Sequence, residues 1–138
     1  MTKKSISIFL INPKKEMLLQ LRDNKKWIPY PGYWACIGGG IEEDESEYEA
    51  VKREIKEEID CEIKNIKMIG KINIKKDFLS LHDSDVSIFK GNINIPANEI
   101  KLNEGQKVEF FKMEELLKLK IPNPLRNFIL NNKDKILE

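Results

Sequence analysis

The chain has 138 residues, 24 Lys or Arg against 23 Asp or Glu, a formal net charge of +1 and a hydrophobic share of 41%. That length holds one core and not two, and the near-neutral balance argues against a general nucleic-acid binder, which carries a basic excess. Two cysteines far apart and a lone histidine, His82, exclude a thiol–imidazole zinc site, and no apolar run approaches the ~20 residues of a membrane span. We therefore expect a single soluble domain over residues 1–138, in the reducing setting of a cytoplasm.

Residues 4–11 (KSISIFLI) and 16–22 (EMLLQLR) are apolar and β-forming, and Asn12-Pro13-Lys14-Lys15 between them supplies turn chemistry, which predicts a β-hairpin. Residues 23–33 (DNKKWIPYPGY) read as a loop. Residues 34–37 form a short buried strand that runs into Gly38-Gly39-Gly40, with Cys36 and Trp34 as packing residues. From Ser46 to Ile59 the period turns helical: Tyr48, Val51, Ile55 and Ile59 make one apolar stripe, with Ser46 or Asp44 as cap. Residues 61–75 and 84–95 read as strands with one exposed face, 96–105 as a loop, 106–112 as a last strand and 113–119 as a helical turn. Pro122 and Pro124 precede a final short helix over residues 125–130. Strands, one long helix, more strands and then helices predict an α/β layered domain with a mixed sheet.

Charge is concentrated in one place. Residues 41–62 hold eleven Asp or Glu against three Lys or Arg. With Ile55 at zero on a helical wheel, Glu54, Glu57 and Glu58 fall at about −100°, −160° and −60°, on one flank of the apolar stripe. Ala50 lies among them and leaves that flank open. Like charges at i,i+3 and i,i+4 each cost about 0.2–0.5 kcal/mol unless something bridges them. A solvated acidic face, offset by Lys52, Arg53 and Lys56, is one reading. Clustered hard oxygen ligands beside a glycine loop also suit Mg²⁺ or Mn²⁺.

The spacing is more specific than the charge. Gly39, five residues, Glu45, seven residues, Arg53-Glu54-Ile55, one residue and Glu57-Glu58 resembles the Nudix box, the signature of the Nudix hydrolases. The box covers 23 residues, and the surrounding order of elements resembles the family's α/β/α sandwich with its loop–helix and C-terminal helix. Two positions depart from the pattern: Asp60 stands where the family usually has glycine, and Cys61 where it has an aliphatic residue. The resemblance implies a Mg²⁺ site (Mn²⁺ as the alternative) on Glu54, Glu57, Glu58 and the Gly39 carbonyl, with Glu45 and Arg53 tying loop to helix. It also implies a loop glutamate approaching the metal from before the last strand, Glu104, with Glu99 as the fallback. Glu54, Glu57 and Glu104 are then the candidates for general base.

Outside the box, Arg22 could meet phosphates, Asn123 lies where similar proteins read the base, and Trp27, Tyr30, Tyr33 and Trp34 offer stacking surface. The expected reaction is hydrolysis of a phosphoanhydride in a nucleoside diphosphate-linked substrate, most simply a (deoxy)nucleoside triphosphate giving monophosphate and pyrophosphate. Its partner would be a small nucleotide, with no nucleic acid or membrane, and a homodimer is compatible with this. An ADP-ribose or nucleotide-sugar pyrophosphatase and a non-catalytic nucleotide sensor are the alternatives. An RNA-processing role lacks a basic groove.

Overall fold

The computed structural model describes residues 2–138. Its centre is β1 (Lys3–Ile11), whose alternating side chains feed two cores. Ile6, Ile8 and Leu10 point to one face, and Phe9 and Ile11 to the other.

One edge of β1 pairs in parallel with β6 (Ser84–Asn92), which pairs antiparallel with β5 (Lys64–Ile74). The other edge is divided. Its outer half, at Leu10 and Ile11, meets β2 (Met17–Leu21), and its inner half, Ser5 to Ile8, meets β4 (Ile37–Gly40). β2 continues outward to β3 (Trp34–Ala35) and β7 (Lys107–Phe111). The predicted strand at 34–37 is thus two strands with different partners, parted at the buried Cys36. Within β4 Gly38 is required, because a side chain there would run into the Ile6 carbonyl.

The hairpin turn is as predicted. The Asn12 side chain accepts from the amides of Lys14 and Glu16, and Lys15 takes a positive φ of 64°.

Helix α1 (Glu47–Glu58) covers one face of the sheet. Ser46 is its cap and makes a full capping box with Glu49. Ala50, Val51, Ile55 and Ile59 join Ile6, Ile8, Leu10 and Ile37 in that core. Tyr48 does not: it is 47% exposed, and the Lys52 ammonium lies 5.3 Å from its ring centroid. The expectation that Tyr48 is buried is corrected, because the first turn of the helix projects beyond the apolar floor.

Past Ile59 the chain turns through Asp60 at φ 47°. Asp60 thus holds the left-handed position that a glycine would fill without strain.

The opposite face is covered by α2 (Met113–Leu116), α3 (Asn123–Asn131) and α4 (Lys133–Leu137). The predicted final helix begins two residues earlier than expected, with Pro124 accommodated in its first turn. The sequence reading had no α4. The helix is held from β6, where the buried Lys90 Nζ donates to the carbonyls of Lys135 (2.8 Å) and Glu138 (2.7 Å). The result is an α/β/α sandwich around a seven-stranded mixed sheet. Among the described residues no helix is long and apolar enough to cross a membrane.

Candidate active site

The divided edge of β1 opens a cavity of 640 Å³ between strands β2 and β4 and the last turns of α1. Gln20 and Arg22 come from β2 and the residue past its end, Gly38 and Gly39 from β4, Glu54 and Glu58 from α1, and Glu104 from the loop before β7. Trp27, 75% exposed, stands at the mouth.

Glu54 and Glu58 are buried and point inward. One carboxylate oxygen of Glu58, Oε2, is buried without a hydrogen-bond partner, and so is Oε1 of the neighbouring Gln20. Burial, then the charges of Glu54 and Glu104, push the Glu58 carboxyl up to about 8. Burial also raises Glu54, against the pull of Arg53. A buried oxygen with no donor, among like charges, is unfavourable unless it gains a proton or a cation.

Gly39 lies against the Glu54 carboxylate so closely that a Cβ there would stand 2.5 Å from Oε1. Only a bare backbone fits there. The donor set is all hard oxygen, which fits Mg²⁺ or Mn²⁺. Among the described residues no three acidic, cysteine or histidine side chains are already drawn into a closed cage.

Glu57 is placed differently from its neighbours. Its side chain is exposed, with Oε2 3.3 Å from Arg53 Nη1, and it does not line the cavity. Arg53 organises this side of the site. It donates to both oxygens of Glu45 (2.7 and 2.9 Å), to the Gly40 carbonyl (2.8 Å) and to Glu54 (2.8 Å). The bidentate pair holds the Glu45 carboxyl at about 2. Glu45 and Arg53 thus join the loop after β4 to the helix.

Glu104 sits in the cavity wall on a loop fixed at both sides. The backbone N–H of Asn103 donates to the Glu58 carbonyl (2.9 Å) and its side-chain amide to the Glu57 carbonyl (2.8 Å). The backbone N–H of Gln106 donates to Leu21 (2.8 Å) and its side chain to the Arg22 carbonyl (2.8 Å). Gly105, at φ 86°, makes the turn between these anchors. The sequence reading did not single out Asn103, Gln106 or Gln20. The only signal for Asn103 and Gln106 was polar residues flanking a candidate glutamate. Glu99 lies in a turn of 3₁₀ helix, Ala97–Glu99, and does not line the cavity.

Arg22 lines the cavity. Its Nε donates to the Pro29 carbonyl (2.8 Å), which leaves the end of the guanidinium toward the opening. Burial lowers its pKa, opposed by Glu104, Glu58 and Asp23. Asn123 is exposed at the start of α3 and does not line the cavity. Trp34 packs edge-on against Phe111 at 5.0 Å, so it belongs to the core.

The model of the NUDIX domain family matches residues 1–131. Solved structures share the fold. The MutT protein from Methanosarcina mazei Go1 superposes with a TM-score of 0.79 at 24% identity, over 94% of this chain and 91% of that one. The NUDIX domain of Shewanella oneidensis NrtR, complexed with ADP ribose, gives 0.78 at 18% identity, over 98% and 88%. The dihydroneopterin triphosphate pyrophosphohydrolase of E. coli gives 0.74 at 16% identity, over 95% and 99%. No curated protein matches the chain.

Proposed function

The chain belongs to the Nudix hydrolases, which act on nucleoside diphosphate derivatives, and from that membership we propose that it cleaves a (deoxy)nucleoside triphosphate to the monophosphate and pyrophosphate. The observation that carries this reading is the cavity itself. Two buried glutamates, one with an orphaned oxygen, face a guanidinium and a tethered loop glutamate across space sized for phosphates.

Glu54, Glu58 and the Gly39 carbonyl would hold a divalent cation, with Glu57 completing the set from the rim. A bound Mg²⁺ neutralises phosphate charge and acidifies a coordinated water. Arg22 binds the phosphate chain from β2. Arg53 and Glu45 keep the loop and helix in register. Glu104 takes the proton of the attacking water, since it lines the cavity and its loop is anchored to both α1 and β2. Glu54 and Glu57 are the other candidates for this role.

The test is incubation with Mg²⁺ and a panel of nucleoside triphosphates, ADP-ribose and dinucleoside polyphosphates, with product identification. Release of monophosphate and pyrophosphate supports the reading. Tight binding of one nucleotide without turnover of any would favour a sensor instead. Glu104→Gln should lower kcat by about 10²–10⁴ while Mg²⁺ affinity measured by calorimetry stays within a few fold. Glu54→Gln should lose both.

A further inference from the structure

Alternate residues of a strand share a face, so Leu18 and Gln20 of β2 lie on the same side of the sheet. Leu18 is fully buried in the core beneath α1. Gln20 is only 4% exposed, buried like a core side chain, yet it also lines the cavity of the glutamates. Its backbone is fixed on both sides by the ladder, opposite Ala35 of β3 and Val108 of β7. A leucine or methionine would continue the core at this position. The chain carries instead an amide whose Oε1 has no hydrogen-bond partner. A buried acceptor left unpaired is unfavourable, and a chain that keeps one at a cavity keeps it for what the cavity receives.

Two neighbours define what this amide meets. The Glu58 carboxylate lies beside it, with its own orphaned oxygen, Oε2. On another side is Gly105, where a Cβ would stand 3.0 Å from the Leu21 carbonyl and 3.1 Å from Gln20 Oε1. A side chain at 105 would crowd the amide oxygen, just as one at 39 would crowd Glu54 Oε1. Charge explains why the residue is an amide. Asp23, Glu54, Glu58 and Glu104 already line the cavity, and a fifth carboxylate would add to their repulsion. Glutamine offers an oxygen acceptor without charge, and its NH₂ end donates to an ionised carboxylate.

Resting on the cation site proposed above, we infer that Gln20 is a positioning residue of that site: its amide steadies the Glu58 carboxylate and takes a hydrogen bond from a water carried by the ion. Mg²⁺ gives up its waters reluctantly and keeps several when it binds protein. Each retained water is a donor in need of an acceptor, and outer groups of this kind set the orientation of the ligands they touch. Without the ion the same amide is a burden, because its oxygen stays unpaired. Stability and ion affinity therefore pull against each other at position 20.

The test reads both quantities on the full chain without catalysis. Gln20→Met keeps the size of the side chain and removes both polar ends, and Gln20→Leu is a second apolar choice. In chelator, Gln20→Met should raise the urea midpoint above the parent's. Its Mg²⁺ affinity, by calorimetry, should fall about 10–100-fold. Gln20→Glu returns an oxygen together with a charge, so it should recover the affinity and lower the midpoint in chelator. A glutamine that only supported the fold would give the reverse, a lower midpoint in Gln20→Met with affinity unchanged. Affinity within about twofold of the parent's in both apolar variants would overturn the inference. Failure of the parent to bind Mg²⁺ would overturn it together with the cation site. Loss of affinity in Gln20→Met, in a parent that binds Mg²⁺ but hydrolyses no nucleotide, would leave it standing and reject only the reaction.

Discussion

Glu58 keeps a proton in the metal-free protein at a pH where the unfolded chain has released it. Its folded value is pushed up to about 8 from an ordinary 4.5. Below the lower value both states are protonated, and between the two the folded state binds more protons. Stability must therefore fall as pH rises through that window. With chelator present, urea unfolding should show a midpoint that declines from about pH 5 to pH 8, and Glu58→Gln should remove most of the slope. That variant should be more stable than the parent at pH 8 and have little turnover; an unchanged slope would remove Glu58 as its source. Glu45 works in the other direction. Its folded value of about 2 adds stability that is present above 4.5 and lost as pH falls toward 2. Arg53→Lys keeps the charge but not the fork, so it should weaken this acid-side stability and lower kcat. The places of Glu45, Arg53, Glu54 and Glu58 came from the resemblance to the Nudix box. It could not tell that Glu57 faces Arg53 and solvent, since a helical wheel gives an angle and not what covers it.

At the level of elements, α1 was legible because its apolar stripe and its capping box are local signals. Its exit was legible only in part. Asp60 was visible as a departure from glycine, and the structure gives that departure a conformation, φ 47°. Asp60→Gly should stabilise the protein by about 1 kcal/mol, read from the denaturation midpoint, with turnover unchanged. No change in midpoint would mean the aspartate side chain offsets its own strain. Helix α4 was invisible for the opposite reason. It is five residues long with one buried side chain, Ile136, and it depends on a lysine more than forty residues away. Lys90→Met should leave those carbonyls without a donor and cost roughly 1–3 kcal/mol. Loss of amide-exchange protection in α4 alone would accompany it. The two-way division of residues 34–40 was equally out of reach, since it depends on which strand each half meets.

For the molecule as a whole, ion binding, protonation and folding are one linked equilibrium. Mg²⁺ must displace the Glu58 proton to use that carboxylate, so binding at neutral pH should release up to about one proton. Calorimetry in buffers of different ionisation enthalpy would show this as a buffer-dependent heat. A heat independent of buffer would count against Glu58 as a ligand. At one hundred times its dissociation constant the ion should add about 2.7 kcal/mol of stability.

The two faces of β1 have a longer-term consequence. Ile6, Ile8 and Leu10 support the helix that carries Glu54 and Glu58, while Ser5 and Ser7 line a second cavity, of 260 Å³, beside the first. Because neighbouring residues of one strand point to opposite sides, a lineage could exchange the two serines without repacking anything beneath the glutamates. The second cavity can then change while the glutamates stay in place. Paralogues that differ at positions 5 and 7 and keep 6, 8 and 10 would be the record of such a history.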